Sequence, residues 1–336
     1  MAEVVILGAG GFGTALAVHE ARMGHRVTLW SLFEEEIRTL KADGENKKLL
    51  PGIAIPKEVE LTNDLSCIER AEMAVLAVPS FAVRETAKRI AGKINPHAVA
   101  VNVAKGLEPH TLKRLSVVLK EELPDCEIVV LSGPSHAEEV GREMPTTVVA
   151  AGHDRAATET VQHLMMNRSL RIYCNDDVVG VELGGALKNI IALAAGIIDG
   201  LGYGDNTKAA LMTRGMAEIS RLGVAMGARS STFSGLTGIG DLIVTCTSMH
   251  SRNRRAGILI GEGVSAKEAV ARIGMTVEGY IASESAYRLA QQTGVEMPII
   301  SGVYQILYEK RSPRDVIEQL MGRPKACESE EVWGVR

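Results

Sequence analysis

The sequence has few of the residues that mark secreted, metal-binding or membrane-spanning proteins. Its five cysteines are odd in number and scattered without a Cys-x-x-Cys pair, which argues against a disulfide framework and a structural zinc site. The longest central run without a charged residue, Asn189 to Ile198, is too short to cross a bilayer. The first residues lack the basic segment and cleavage site of a signal peptide. We therefore expect a protein of the reducing cytoplasm, without membrane insertion and without a bound metal.

Aromatic residues are also scarce, at 4%, and neither sign of charge dominates, since 37 basic and 41 acidic residues give a net charge of −4. Proteins that bind nucleic acid more often carry a basic surplus, so we expect no nucleic-acid partner. Apolar residues make up 46% of the chain, which is an ordinary globular balance, and the 34 glycines favour close backbone packing. The length of 336 residues suits two domains.

Two patterns divide the chain. The first half alternates short β-branched runs with helical stretches, which predicts a parallel sheet covered on both faces. From about Val179 onward, stretches rich in Ala, Leu, Ile and Met replace the strands. We expect an α/β N-terminal domain with a mostly parallel, doubly wound sheet at residues 1–179 and an all-α C-terminal domain at residues 180–336. The predicted strands are Val4–Leu7, Arg26–Trp30, Met73–Val78, Ala98–Val103, Glu127–Leu131, Thr146–Ala150 and Leu170–Tyr173.

A glycine-rich turn lies directly after the first predicted strand. Gly8, Gly10 and Gly13 form a GxGxxG pattern that opens a helix, and a second strand ending at Trp30 completes a βαβ unit. In such a unit the first glycine permits the tight turn, the second lets the backbone approach a pyrophosphate, and the third lets the helix pack on the strand. The helix N-terminus offers free N–H groups to phosphates. The pattern predicts a dinucleotide site; the alternative is a purely structural turn.

The residue after the second strand normally distinguishes NAD from NADP. An acidic residue there holds the ribose 2′-hydroxyl, whereas an arginine accommodates a 2′-phosphate. Here Ser31, Leu32 and Phe33 follow the strand, and neither determinant stands in the expected place. Ser31 can bond either cofactor, and Glu34–Glu36 is predicted to form the first turn of a helix, where carboxylates suit the helix dipole. The cofactor preference stays open, and we expect both cofactors to be used.

Polar groups follow later strands of the predicted sheet. Lys105 comes after the fourth strand, and Ser135 and His136 come after the fifth. Ligands bind beyond the carboxyl ends of the strands in an open parallel sheet, so Lys105 is placed to reach that crevice; the alternative is a solvated loop lysine. His136 either takes part in acid–base chemistry or is a loop histidine that bonds locally.

Lys188 is unexpected, because the stretch around it, Glu182–Gly196, is apolar and rich in glycine. Burial lowers the pKa of a lysine toward neutrality and makes it usable as a general acid or base. The alternative is a lysine on the outward face of the helix. Asp241 follows a glycine-rich stretch at a predicted helix start, and it is expected either to pair with Lys188 or to cap that helix.

A cluster of hydrogen-bond donors follows shortly after. Ser251, Arg252 and Asn253 combine hydroxyl, guanidinium and amide groups. Such a set suits a phosphate group, because arginine binds phosphate in a bidentate manner. The alternative is a solvated, basic helix start.

Six segments together closely resemble bacterial NAD(P)-dependent glycerol-3-phosphate dehydrogenases. They occur in the expected order over nearly the whole chain, at Gly8–Gly13, Lys105-Gly106, Ser132–Val140, Glu182–Gly202, Thr232–Thr247 and Ser251–Gly257. The resemblance implies an N-terminal Rossmann domain that binds the nicotinamide cofactor and a helical domain that supplies most of the substrate site. The basic residues often found after the second strand are replaced by Leu32-Phe33, and Leu49 stands where an aromatic residue is common.

The resemblance also implies roles for single residues. Lys188 is implied to be the proton donor and acceptor. The residues implied to contact the substrate are Lys105, Gly133, Ser135, Lys188, Asp241, Ser251, Arg252 and Asn253. Those expected to contact NAD(P)H, including the glycines of the turn, are Gly8, Gly10, Gly11, Phe12, Gly13, Lys105, Ala137, Arg252 and Glu278.

The activity implied is the NAD(P)H-dependent, reversible reduction of dihydroxyacetone phosphate to sn-glycerol 3-phosphate, which supplies glycerophospholipid synthesis. A homodimer is implied as well. One alternative is a related two-domain dehydrogenase acting on a hydroxy acid or a sugar derivative, which would need a different site in place of Ser251–Asn253. Another is a nicotinamide-binding sensor without turnover, which would have no reason to keep a buried lysine at position 188.

Overall fold

The structure, a computed structural model, describes residues 1–325 and 327–328. Eight strands form one sheet in the order β3-β2-β1-β4-β5-β6-β7-β8, and all neighbours are parallel except β6 and β7. The strands are β1 (Glu3–Leu7), β2 (Arg26–Trp30), β3 (Glu60–Thr62), β4 (Met73–Leu76), β5 (Val99–Asn102), β6 (Glu127–Ser132), β7 (Thr146–Gly152) and β8 (Leu170–Asn175).

Helices cover both faces of this sheet. They are α1 (Gly11–Arg22), α2 (Glu34–Asp43), α3 (Val83–Ile90), α4 (Leu115–Glu122), α5 (Ala137–Gly141) and α6 (Arg155–Met165). Alternate residues of β1 show the two layers, because Val4 and Ile6 belong to one buried apolar cluster while Val5 and Leu7 belong to another. Since side chains alternate between the faces of a strand, both faces of β1 are buried. The expected doubly wound, mostly parallel sheet is confirmed.

The described chain after β8 is helical. Its α-helices are α7 (Val178–Gly200), α8 (Asp205–Ala225), α9 (Ser230–Phe233), α10 (Asp241–Thr247), α11 (Arg252–Gly261), α12 (Ala266–Ile273), α13 (Glu278–Thr293), α14 (Pro298–Tyr308) and α15 (Pro313–Met321). A π-helical turn, Leu236–Gly240, leads into α10. The expected helical second half is therefore confirmed over the described residues, whereas residues 326 and 329–336 of the predicted second domain lie outside them.

The strand pattern missed one element and misjudged several ends. β3 has only three residues, Glu60–Thr62, and they are not deeply buried, so no apolar run marks it. β4 ends at Leu76 rather than at Val78, and β7 and β8 are each two residues longer than expected. Strand ends depend on the neighbouring strand that supplies the hydrogen bonds, which a local pattern does not contain.

Helix α7 forms the core of the second half. It has 23 residues and is long and apolar enough to cross a membrane by length and composition, but its apolar window is completely buried inside the protein. It packs closely on α11, because a Cβ atom on Gly196 would lie 2.0 Å from the carbonyl oxygen of Arg254, and one on Gly257 would lie 2.0 Å from that of Leu193. Glycine at both positions lets the two backbones touch, which brings the first turn of α11 beside α7.

A loop from the α/β part reaches into the helical part. Leu107 and Leu112 belong to the apolar cluster of the helices. Farther along, the buried carboxylate of Glu182 on α7 accepts hydrogen bonds from Arg114 Nη1 at 2.6 Å and from the backbone N–H of Ser116 at 2.8 Å. These contacts fix the segment that follows β5, and Lys105 lies at its start.

Candidate active site

The glycine turn after β1 has the geometry that a dinucleotide pyrophosphate requires. Gly8 has a φ of +117°, and its N–H donates to the carbonyl of Trp30 at 2.8 Å. A Cβ atom on Gly13 would lie 2.0 Å from the carbonyl oxygen of Gly8, so α1 can pack on the turn only with glycine there. A Cβ atom on Gly10 would have no atom within 4 Å, so space remains beside the N-terminus of α1. The turn therefore fits the pyrophosphate of a nicotinamide cofactor.

The other residues of this loop hold its shape. Gly11 begins α1, and a Cβ atom there would lie 2.6 Å from the carbonyl oxygen of Leu49. Phe12 is partly buried and packs against the core of the sheet. Ala137, the first residue of α5, is also partly buried against that core. These three positions lie near the turn or at the carboxyl end of β6, while their contact with NAD(P)H stays a prediction.

Two lysines from different parts of the chain meet at one carboxylate. Lys188 on α7 donates to Asp241 Oδ1 at 2.5 Å, and Lys105 donates to Asp241 Oδ2 at 2.8 Å. Lys188 is 5% exposed and Asp241 is 1% exposed. The expected pairing of Asp241 with Lys188 is confirmed. The alternatives of a solvated Lys105, an outward-facing Lys188 and a capping Asp241 are wrong, because α10 begins at Asp241 without a side-chain cap.

Burial and charge act against each other in this cluster. Burial lowers the pKa of Lys188 to about 8, although Asp241 opposes that shift and Lys105 adds to it. Burial by itself would raise the pKa of Asp241, but the attraction of Lys105 and Lys188 and their hydrogen bonds outweighs it, so that pKa is lowered. Asp241 therefore stays ionised, while Lys188 can both hold and release a proton near neutral pH.

The residues after β6 complete the surroundings of Lys105. The ammonium of Lys105 donates to the carbonyl of Gly133 at 2.7 Å and to Ser135 Oγ at 3.4 Å. Gly133 has a φ of +132°, and this left-handed conformation turns its carbonyl toward the lysine. His136 begins the next turn, and its Nε2 atom is buried without a hydrogen-bond partner among the described residues. The local hydrogen bond expected as one alternative is absent at that nitrogen, and burial together with Lys188 lowers the pKa of this histidine.

The polar side chains at the start of α11 differ in whether they already have hydrogen-bond partners. Ser251 caps the helix by accepting from the N–H of Arg254 at 3.2 Å. Asn253 donates to Asn189 Oδ1 at 3.0 Å and accepts from the N–H of Gly279 at 2.8 Å, so it holds α7 and α13 together. Arg252 differs, because it has no hydrogen-bond partner in the described part of the chain, and burial lowers its pKa while Glu278 opposes that shift. Arg252 is therefore an unpaired cation, and the buried Nε of Arg255 in the same helix likewise lacks a partner among the described residues.

Glu278, at the start of α13, contacts the α/β domain. Its carboxylate accepts from the backbone N–H of Ser80 at 3.1 Å and from Ser80 Oγ at 2.7 Å. Burial raises the pKa of Glu278, and these two hydrogen bonds oppose that effect. Ser80 follows β4, the neighbour of β1, so this contact joins the start of α13 to the carboxyl edge of the sheet.

Sequence reasoning missed the residues that position the predicted ones. Thr245 Oγ1 accepts from Lys188 Nζ at 2.6 Å and donates to the carbonyl of Asp241 at 2.6 Å. Asn189 holds Asn253 and donates to the carbonyl of Lys105 at 3.4 Å. The spacing of four residues between Asp241 and Thr245 places both on one face of α10, and this was the available signal. No local signal pointed to Asn189, since its partners are distant in sequence.

The described residues contain no group of three or more His, Cys, Asp or Glu side chains that is placed to hold a metal ion. The charged groups that the cleft offers are the two lysines, the carboxylate between them and Arg252.

Family models match both parts of the chain. The model described as NAD-dependent glycerol-3-phosphate dehydrogenase N-terminus matches residues 3–158, and the corresponding C-terminus model matches residues 177–318. Together they cover the glycine turn, both lysines, Asp241 and the start of α11.

Curated and solved relatives agree with these models. The chain is 53% identical over 332 residues to the glycerol-3-phosphate dehydrogenase [NAD(P)+] of Desulfitobacterium hafniense, with 99% of this chain and 94% of the relative covered. It is 55% identical to the Moorella thermoacetica protein of that name, with 98% of each chain covered. The crystal structure of glycerol-3-phosphate dehydrogenase from Coxiella burnetii is 39% identical, with a TM-score of 0.93 over 96% of this chain and 99% of that chain. The expected resemblance is thereby confirmed, and the chain belongs to the NAD(P)-dependent glycerol-3-phosphate dehydrogenase family.

Proposed function

We propose that this protein reversibly reduces dihydroxyacetone phosphate to sn-glycerol 3-phosphate with NADH or NADPH, and so supplies glycerophospholipid synthesis. The observation that carries this proposal is the buried ammonium of Lys188, held by Asp241 between the helical domain and the carboxyl ends of the strands. The bound cofactor would supply the hydride. The protein has to orient the substrate, stabilise the developing alkoxide and deliver a proton to it.

Lys188 is suited to deliver that proton. An ammonium carries three N–H donors, and two of them are taken by Asp241 and Thr245. One donor remains for a substrate oxygen. Because the pKa of Lys188 is lowered to about 8, the group is largely protonated at neutral pH and gives up its proton more readily than an exposed lysine.

Lys105 has a different role in this proposal. Its three donors are directed to Asp241, Gly133 and Ser135. It therefore keeps Asp241 ionised and adds positive charge near the carbonyl oxygen, where an alkoxide develops. Contact between Lys105 and the substrate would replace its weakest bond, the 3.4 Å bond to Ser135.

Arg252 suits the phosphate group of the substrate. It is partly buried and lacks a hydrogen-bond partner among the described residues, so a bound phosphate would supply the missing acceptor. Arginine and phosphate form bidentate, charge-assisted hydrogen bonds. Ser251 and Asn253 support this arrangement by fixing the start of α11, and their contact with substrate, like that of Gly133 and Ser135, is part of the proposal.

An absorbance assay tests this function. NADH or NADPH is mixed with the protein, and absorbance is followed before and after addition of dihydroxyacetone phosphate. We expect oxidation of the cofactor that depends on this substrate. Turnover of an unphosphorylated hydroxy-acid or sugar substrate in place of dihydroxyacetone phosphate, or tight cofactor binding without any turnover, would contradict the proposal.

The remaining proposals concern organisation. We place the domain boundary between residues 179 and 180, just inside α7, and we infer a cytoplasmic homodimer without a nucleic-acid partner or membrane insertion. The five cysteines without disulfide bonds support a cytoplasmic location, the net charge of −4 supports the absence of a nucleic-acid partner, and the buried apolar window of α7 supports the absence of membrane insertion. The homodimer rests on resemblance to the family, and sedimentation equilibrium tests it, since a monomer at assay concentration would contradict it.

A further inference from the structure

The carboxylate of Glu36, in the first turn of α2, lies against the end of β2. Ser31 is the first residue after β2 and is buried, and its hydroxyl donates to Glu36 Oε2. The backbone N–H of Phe33 donates to the same hydroxyl at 3.2 Å. Ser31 therefore holds Glu36, in the first turn of α2, back against the end of the strand. The other carboxylate oxygen, Oε1, receives no hydrogen bond from the described residues.

The end of β2, where Ser31 holds this carboxylate, lies beside the glycine turn. β1 and β2 are parallel neighbours, with Leu7 paired to Trp30, and the N–H of Gly8 donates to the carbonyl of Trp30 at 2.8 Å. In a dinucleotide-binding unit the adenosine ribose lies between that turn and the end of the second strand. Glu36 thus supplies an acid at the place where sequence position alone showed none.

The residues around it add apolar surface and no free positive charge. Leu32 is 49% exposed and Phe33 is 66% exposed, which suits an adenine ring on either cofactor. Arg38, in the same helix as Glu36, is ion-paired with Glu35. The residues directly after β2 therefore offer nothing to balance the charge of a 2′-phosphate.

From this contact we infer that Glu36 is the residue that sets cofactor selectivity in this chain, and that it favours NADH over NADPH. Its free oxygen accepts a hydrogen bond from the ribose 2′-hydroxyl of NADH. In NADPH that hydroxyl is replaced by a phosphate of about two negative charges, which cannot donate in the same way and is repelled by the carboxylate. The inference rests on the proposed function only in that a nicotinamide cofactor binds at the glycine turn.

Direct binding measurements test it without any turnover. Isothermal titration calorimetry gives the Kd of NADH and of NADPH, in the absence of substrate, for the wild type and each variant. We expect the wild type to bind NADH about tenfold or more tighter than NADPH, the effect of one charge-assisted hydrogen bond. Glu36→Gln should reduce that ratio by about tenfold, chiefly by tightening NADPH, because the repulsion is removed.

Two further variants separate charge from general disturbance. Glu34→Gln removes a neighbouring exposed carboxylate of the same helical turn, one that pairs with no cation among the described residues, and should leave the ratio unchanged. Glu36→Asp keeps the negative charge and should retain most of the preference. Because the repulsion is electrostatic, the wild-type ratio should also fall as ionic strength rises, which tests the inference even if Glu36→Gln does not fold.

A wild type that binds NADPH as tightly as NADH would overturn the inference, and so would an unchanged ratio in a folded Glu36→Gln variant. These outcomes leave the proposed reaction intact, since both cofactors still bind. Conversely, NADH binding without turnover of dihydroxyacetone phosphate would contradict the proposed reaction and leave the selectivity result standing.

Discussion

The cleft has a reaction end, at Lys188 and Asp241, and a nucleotide end, at Glu36. The charged groups of the two ends are held in different ways. Lys188 and Asp241 are almost completely buried, and each depends on the other for its charge state. Glu36 is partly exposed and is held by one serine. Removing one partner of a buried pair leaves an uncompensated charge, whereas a charge near the surface is screened by solvent and salt. Changes at the reaction end should therefore affect turnover strongly, and changes at the nucleotide end should shift selectivity by a smaller factor.

The largest effect is expected from Lys188→Ala. Loss of the proton donor should lower kcat by about 10²–10⁴-fold, while calorimetry should show nearly unchanged affinity for NADH. Lys188→Arg should fail as well, because a guanidinium does not release its proton near neutral pH. Retention of more than about a tenth of wild-type kcat by Lys188→Ala would refute the role.

Arg252→Ala should have the next largest effect, on one substrate only. Loss of charge-assisted hydrogen bonds of about 1.5–3 kcal/mol each should strongly lower kcat/KM for dihydroxyacetone phosphate. Turnover of unphosphorylated dihydroxyacetone should hardly change. Because phosphate binding also orients the carbonyl, the wild type should turn over dihydroxyacetone with a lower kcat as well as weaker affinity.

The Kd of NADH must be measured on the same variant, since Arg252 is also expected to contact the cofactor. An equal loss on both substrates with unchanged cofactor affinity would mean that Arg252 is structural. The substrate phosphate would then bind elsewhere.

The pH profile tests the charge balance around Lys188. Reduction needs the ammonium form, so kcat/KM for dihydroxyacetone phosphate should fall as pH rises through about 8, the lowered pKa of Lys188. Oxidation of glycerol 3-phosphate needs the neutral amine and should rise through the same range. Thr245→Val removes an acceptor of the ammonium and should move both limbs to lower pH. If the fall in one profile and the rise in the other stay at the same pH in this variant, a group other than Lys188 titrates in this range.

The smallest effect is expected at the nucleotide end. The wild type should use both cofactors, with kcat/KM values that differ by less than about 100-fold, or roughly 2.7 kcal/mol. Phe33 is exposed, so Phe33→Arg should leave the fold intact and improve kcat/KM with NADPH by supplying a partner for the 2′-phosphate. A wild-type preference above that ratio would show a stronger determinant than one partly exposed carboxylate.

Local patterns predicted the sheet and the glycine turn well, for a reason visible in β1 and α1. A strand buried on both faces must be apolar throughout, and Gly8 and Gly13 have conformations or contacts that exclude a side chain. Helix α11 stood only as an alternative in the sequence analysis, as a basic helix start, since its first turn is polar and basic. It forms because Gly257 allows it to pack directly on α7, a contact between segments about sixty residues apart.

The sequence by itself determined the α/β and helical halves, the dinucleotide turn and the unusual lysine in an apolar helix, because each of these is set by residues that are near one another in the chain. Only the tertiary structure decided the rest. It brought Lys105 to Asp241, 136 positions away, and it assigned Thr245 and Asn189 their positioning roles. A charge in a protein depends on which groups surround it in space, and around Lys188 and Lys105 those groups come from segments that are far apart in the chain.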